Sequence, residues 1–148
     1  MGKAATQGER EAYSGREAGK VNYLLDTTVL IDTLRGRNER KQLLVELVLS
    51  GHTLATSAMN IGEVFAGMRT GEEVKTELFL SNLEIFPITA AVARRGGGTK
   101  SAWARKGKTF SLADMLVAAT AMEHGLILMT DNHKDFRNIR GLTLYDFR

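Results

Sequence analysis

The stretch Val21-Asn22-Tyr23-Leu24-Leu25-Asp26-Thr27-Thr28-Val29-Leu30-Ile31 decides how the rest of the chain is read. It opens as a short run of aromatic and aliphatic residues and stops abruptly at Asp26, the pattern of a buried strand with a carboxylate at its carboxyl end. Thr27 or Thr28 is placed to cap the helix that follows. Val29, Leu30, Ile31 and Leu34 form its inner face and Gly36 is its stop.

Downstream, the same alternation repeats. Leu43, Leu44, Leu47 and Val48 recur at helical spacing before Gly51. His52 to Thr56 reads as a second strand, with Ser57 as the cap of a third helix marked by Ile61, Val64, Phe65 and Met68 and ending near Gly71. Val74, Leu78, Phe79 and Leu83 mark a fourth. Residues 84–88 are strand-like, and Pro87, the only proline, points to a sheet edge or a strand end. A helix starts at Ala90 and is expected to break at Gly96-Gly97-Gly98. Ser111 caps an apolar helix through Met115, Leu116, Ala118, Ala119 and Met122, closed by Gly125. Leu126 to Met129 and Leu142 to Tyr145 are the last strands. Strands alternating with helices predict an α/β fold, a three-layer α/β/α sandwich around a central, mostly parallel sheet.

Upstream of Val21 the reading changes. Residues 1–20 are rich in Gly, Ala, Glu, Lys and Arg, with Tyr13 the only large apolar side chain, and are expected to be a flexible arm. The folded domain is assigned to residues 21–148. Composition agrees: 148 residues, 43% hydrophobic and 25% charged, suit one globular domain. The absence of Cys excludes disulfides, thiolate metal sites and a Cys nucleophile, and fits a cytoplasmic protein. There is no apolar run long enough to span a membrane and no secretory h-region. A net charge of +3 suits a phosphate-bearing partner without specifying one.

The acids carry the chemistry. Asp26 ends the first strand, Glu63 lies early in the helix after the second, and Asp114 lies in the first turn of the helix capped by Ser111. Asp131 follows the strand that ends at Met129. In an open parallel sheet all four come to the carboxyl edge, where reactive groups gather. An acid near a helix start is often only a dipole-complementing residue, and Ser111-x-x-Asp114 resembles a capping box. Asp26 resists that account, because an acid ending an apolar strand costs solvation unless a cation or hydrogen bonds compensate it. Converging carboxylates repel one another unless a metal neutralises them. All-oxygen ligation selects a hard cation, Mg²⁺ or Mn²⁺. Such a cluster suits phosphodiester hydrolysis, with Asp26 and Asp114 as direct ligands and Glu63 as ligand, water-mediated ligand or base.

At these residues the chain resembles the PIN-domain nucleases, and more narrowly the VapC-type toxins of bacterial toxin–antitoxin pairs. The resemblance is carried by residues 24–32, by Ser57-Ala58-Met59-Asn60-Ile61-Gly62-Glu63-Val64, by residues 111–121, and by Leu128-Met129-Thr130-Asp131-Asn132-His133-Lys134-Asp135-Phe136. It implies the PIN sandwich, a Mg²⁺ or Mn²⁺ site, endoribonuclease activity on an RNA substrate, and a VapB-type antitoxin. Asp26, Glu63 and Asp114 match the family's first three acids, and Thr27 and Thr130 its supporting hydroxyls. The fourth acid position is Asn132 here. That leaves three candidates: Asp131 as the fourth catalytic residue, Asn132 as a ligand through water, or Asp135 as a compensating neighbour. The departure also leaves open a catalytically weak or inactive PIN-like binding module.

Other residues are ambiguous from sequence. Arg94 to Lys108 is the densest basic region. Arg95, Lys100, Trp103, Arg105 and Lys106 there, with Arg35 elsewhere, read either as RNA contacts or as a solvated surface with Trp103 on the core. Met59, Phe65, Met68, Leu78 and Phe79 read as a homodimer face, as a groove for an antitoxin segment or as ordinary core. Arg37, Arg40 and Lys41 are placed to steer RNA. His52, His124 and His133 are isolated; His124 reads as a surface residue at a helix end, and His133, near the candidate site, as a substrate contact or a plain surface residue.

Overall fold

A computed structural model describes residues 21–147; the arm expected over residues 1–20, and Arg148, lie outside the described residues. The strands are β1 (Asn22–Leu25), β2 (Thr53–Ser57), β3 (Glu84–Phe86), β4 (Ile127–Met129) and β5 (Thr143–Leu144). The helices are α1 (Thr27–Leu34), α2 (Arg40–Leu49), α3 (Ala58–Ala66), α4 (Glu73–Leu80), α5 (Ala90–Arg105), α6 (Leu112–His124) and α7 (His133–Phe136). The sheet order is β3-β2-β1-β4-β5 and every neighbouring pair is parallel.

Side-chain alternation along the strands separates two cores. Tyr23, Leu25, Ile127 and Met129 face α1 to α4, where Val29, Leu30, Leu44, Leu47, Val64 and Leu80 pack. Leu24, Ala55 and Leu128 face the other side, against Phe110, Met115, Val117, Ala118 and Phe136. The expected three layers are therefore present. From β1 the chain moves outward to β2 and β3, then returns past β1 to β4. The order reverses between β1 and β4, and Asp26 and Thr130 stand at the carboxyl ends of these two strands.

The structure corrects several local expectations. The Gly96-Gly97-Gly98 run does not break a helix: α5 continues through it to Arg105. A Cβ on Gly96 would lie 3.0 Å from the Met115 carbonyl oxygen and 3.0 Å from Leu116 Cδ2, so the glycine admits α6 at close range. Packing outweighs its poor helix propensity. Asp26 itself, not Thr27 or Thr28, caps α1 by accepting the Thr27 N–H. Helix α3 ends at Ala66 with Gly67 as its cap, short of Gly71. On α4 the buried residues are Thr76 and Leu80, while Val74 and Leu78 are exposed. The one-turn α7 has no counterpart in the sequence pattern, because its cap is the side chain of Asn132. Pro87 follows the edge strand β3, as its missing N–H requires.

Candidate active site

Asp26 is buried at the end of β1, and its carboxylate accepts three hydrogen bonds. Thr27 N–H (2.9 Å) and Asn60 Nδ2 (3.1 Å) donate to Oδ1, and Thr130 Oγ1 (2.7 Å) donates to Oδ2. This compensation allows an acid to end an apolar strand. Thr130 is oriented in turn by the Asn132 N–H, which donates to its hydroxyl oxygen at 3.1 Å.

Glu63 projects from the second turn of α3 and accepts the Thr27 hydroxyl proton at 2.7 Å. Thr27 Oγ1 also accepts from Asn60 Nδ2 at 3.0 Å. A continuous polar chain therefore joins Asp26, Asn60, Thr27 and Glu63 across β1, α1 and α3. Sequence reading places Thr27 and Thr130 in support of the acids, and the structure puts both on them. It misses Asn60, whose position within the Ser57-to-Glu63 segment is the available signal.

Asp114 stands in the first turn of α6, whose start is fixed by Ser111 Oγ accepting the Asp114 N–H at 3.0 Å. Its carboxyl is pushed up from the usual range, first by burial. A hydrogen bond with Ser111 opposes the shift, and the negative charges of Asp26, Glu63 and Asp135 add to it. Three other acids are thus close enough for Asp114 to feel their charge, though they come from three separate elements.

The three candidates for the fourth position have different partners. Asp131 pairs with Arg40 at 2.6 Å, and that guanidinium lies 3.9 Å over the Phe147 ring. Asp131 is thus tied to the start of α2. Asn132 spends its amide on Asp135: Nδ2 donates to Asp135 Oδ2 at 2.9 Å and Oδ1 accepts the Asp135 N–H at 3.4 Å. Asp135 is among the acids that raise Asp114. Among the described residues, no three acids or imidazoles already stand together as a metal-holding group. Glu63 and Asp135 each accept a side-chain hydrogen bond, from Thr27 and from Asn132.

The basic residues are mostly engaged elsewhere. Arg35 bonds Glu72 and the Gly67 carbonyl, and Arg95 pairs with Glu123. Arg105 donates to Ser101. Lys100 donates to the Phe110 carbonyl at 2.6 Å, just before the start of α6. Trp103 stands edge-on to Phe110, with the Lys106 ammonium 5.1 Å from its ring centroid. The basic stretch is a packed helix rather than a loose loop. His124 lies against Phe86 and His133 beside Phe147, both away from the three acids' hydrogen bonds.

Met59, Phe65, Met68, Leu78 and Phe79 do not form one face. Phe65 and Phe79 pack on the first core and Met59 on the second. A separate apolar groove of about 570 Å³ runs between α2 and α4. Leu44, Val45, Val48, Leu49, Leu78 and Phe79 line it, with Lys41 and Lys75 also on its walls.

The PIN domain family model matches residues 23–142. Ribonuclease VapC19 of Mycobacterium tuberculosis is 34% identical over 113 residues, covering 76% of this chain and 90% of that protein. The tRNA(fMet)-specific endonuclease VapC of Shigella flexneri is 24% identical over 132 residues, covering 86% and 98%. Among solved structures, VapBC2 from Rickettsia felis bound to a promoter DNA fragment superposes with a TM-score of 0.74 at 27% identity, over 84% of this chain and 97% of that one. A toxin–antitoxin complex from Klebsiella pneumoniae gives a TM-score of 0.68 at 33% identity, over 82% and 95%.

Proposed function

The chain belongs to the PIN-domain family, and from that premise we propose that it is a metal-dependent endoribonuclease, the toxin of a VapBC-type toxin–antitoxin pair acting in the cytoplasm. The observation that carries the reading is the hydrogen-bonded chain that joins Asp26, Asn60, Thr27 and Glu63, with the Asp114 carboxyl pushed up first by burial and further by the charges of Asp26, Glu63 and Asp135. An all-oxygen set in mutual repulsion fits a hard divalent cation, Mg²⁺ or Mn²⁺. When bound, that cation supplies Lewis-acid polarisation of the phosphodiester and a lowered pKa for the attacking water.

In this reading Asp26 and Asp114 hold the cation directly. Glu63, anchored through Thr27, takes the proton of the attacking water or holds the cation through water. Asp135 takes the fourth position in place of Asp131, and Asn132 orients it. An acid from Asp135 would supply the charge that Asn132 lacks, against the alternative of an inactive module. Thr27 and Thr130 keep the acids in place. Lys100, Trp103, Arg105 and Lys106 are kept as RNA contacts; Arg35 and Arg95 already have acidic partners.

The α2–α4 groove is assigned to an apolar segment of the antitoxin. The solved relatives are toxin–antitoxin complexes, and Lys41 and Lys75 suit acidic residues flanking such a segment. A homodimer remains part of the proposal and is read directly from the molar mass in solution. Among the described residues no helix is long and apolar enough to cross a membrane.

Purified antitoxin-free protein should cleave RNA but not matched DNA with Mg²⁺ or Mn²⁺, and Asp26→Ala and Asp114→Ala should abolish cleavage. Intact RNA with either metal sinks the enzyme reading. For the partner, Val48→Asp should end antitoxin capture while leaving cleavage intact; unchanged capture would move the docking site elsewhere.

A further inference from the structure

Asn60 is fully buried, and its amide has only one workable orientation. Ser57 N–H (3.3 Å) and the Ser57 hydroxyl (2.6 Å) both donate to Asn60 Oδ1. The reversed amide would set donor against donor at the Ser57 N–H. Both Nδ2 protons are therefore directed at the site, one to Asp26 Oδ1 and one to Thr27 Oγ1.

The count of lone pairs on Asp26 then becomes informative. Oδ1 accepts from Thr27 N–H and Asn60, which fills both of its lone-pair positions. Among the described residues Oδ2 accepts only from Thr130, so one position remains. Asp26 can meet a cation through one oxygen alone. Mg²⁺ and Mn²⁺ take single carboxylate oxygens in octahedral sets, whereas Ca²⁺ is larger and commonly draws on both oxygens of a carboxylate.

The second Asn60 proton acts on the other acid. With its lone pair engaged by Asn60, the Thr27 hydroxyl directs its own proton to Glu63 Oε1. One amide thus orients two acids on different elements. Partners of this kind behind a metal ligand commonly change metal affinity by about 10–100-fold when removed.

We propose that Asn60 is a positioning residue that makes Asp26 a one-oxygen ligand, and so sets a preference for a small divalent cation over Ca²⁺. This rests on reading the acids as a cation site. The test is calorimetric titration of the full chain with Mn²⁺ alone and with Ca²⁺ alone, for wild type, Asn60→Ala and Asn60→Ser. Melting curves in chelator establish folding. Asn60→Ser keeps a hydroxyl near Ser57 but is too short for Asp26, and carries the test if the alanine variant does not fold.

Both variants should bind Mn²⁺ about 10–100-fold more weakly, with a smaller loss for Ca²⁺, so the Mn²⁺/Ca²⁺ affinity ratio falls. A folded variant with Mn²⁺ affinity within about twofold of wild type and an unchanged ratio overturns the role of Asn60. Wild-type protein that binds no Mn²⁺ overturns the cation site itself, and the proposal with it.

Discussion

Ser57 caps α3 by accepting the Asn60 N–H at 3.2 Å, and Ser111 caps α6 by accepting the Asp114 N–H at 3.0 Å. Asn60 and Asp114 therefore hold the same third position on two helices that pack against each other. Asn60 folds back on its cap, completes the capping box, and spends its remaining donors on Asp26 and Thr27. Asp114 carries a half-buried charge, and other acids raise its pKa. One helix start is a satisfied network that holds neighbours still; the other is left short of positive charge.

The largest effect should come from the unsatisfied side. Asp114→Asn keeps size and helix position but removes a charge, and should lower RNA cleavage by at least about 10²–10³-fold, the scale for removing one fixed transition-state interaction. Single-turnover cleavage assays measure it. A loss smaller than that for Asn60→Ala would invert the comparison.

The support behind α6 comes next. Gly96→Ala must push against the Met115 carbonyl and Leu116, and should destabilise the fold by about 1–3 kcal/mol. Gly97, on the same helix, has nothing within 4 Å of the position a Cβ would take; its alanine variant should gain up to about 1 kcal/mol from helix propensity. Urea denaturation compares the two, and equal effects would deny the close crossing.

The caps themselves should differ. Ser111→Ala loses a helix cap worth about 1 kcal/mol. Ser57→Ala loses the same and also leaves the buried Asn60 oxygen short of its hydroxyl donor, so about 2 kcal/mol is expected. Equal losses in denaturant titrations would mean that the Asn60 network adds nothing to the cap.

The smallest effect has a definite sign. Folding raises the Asp114 pKa, so the folded state holds that proton more tightly than the unfolded chain does. The associated stability is present below the unfolded pKa and is lost as pH rises through the folded one. Metal-free Asp114→Asn should therefore melt slightly higher than wild type at pH 7, and the gain should vanish at acid pH. A lower melting point at pH 7 would contradict the repulsion.

Much of this is legible in the sequence because hydrophobic period and strand-end acids are local signals. Strand β1 with Asp26, the Ser111 cap and the order of the layers follow from such patterns. What escapes them depends on partners distant in sequence. Gly96 reads as a breaker until α6 lies across it. Asp131 and Asp135 look alike along the chain, but Asp131 is bonded to Arg40 at the start of α2 and Asp135 to Asn132, partners that sequence distance hides. Asn60 reads as a polar helix residue until Asp26 is placed beside it.

The measurement closest to the central claim is anomalous diffraction at the manganese edge from crystals grown with Mn²⁺. A single peak is expected within coordination distance of Asp114 and of Asp26 Oδ2, with Asp135 rather than Asp131 on its side of the cleft. A peak bound by Asp131, or none near Asp26 and Asp114 in protein that cleaves RNA, would contradict the account.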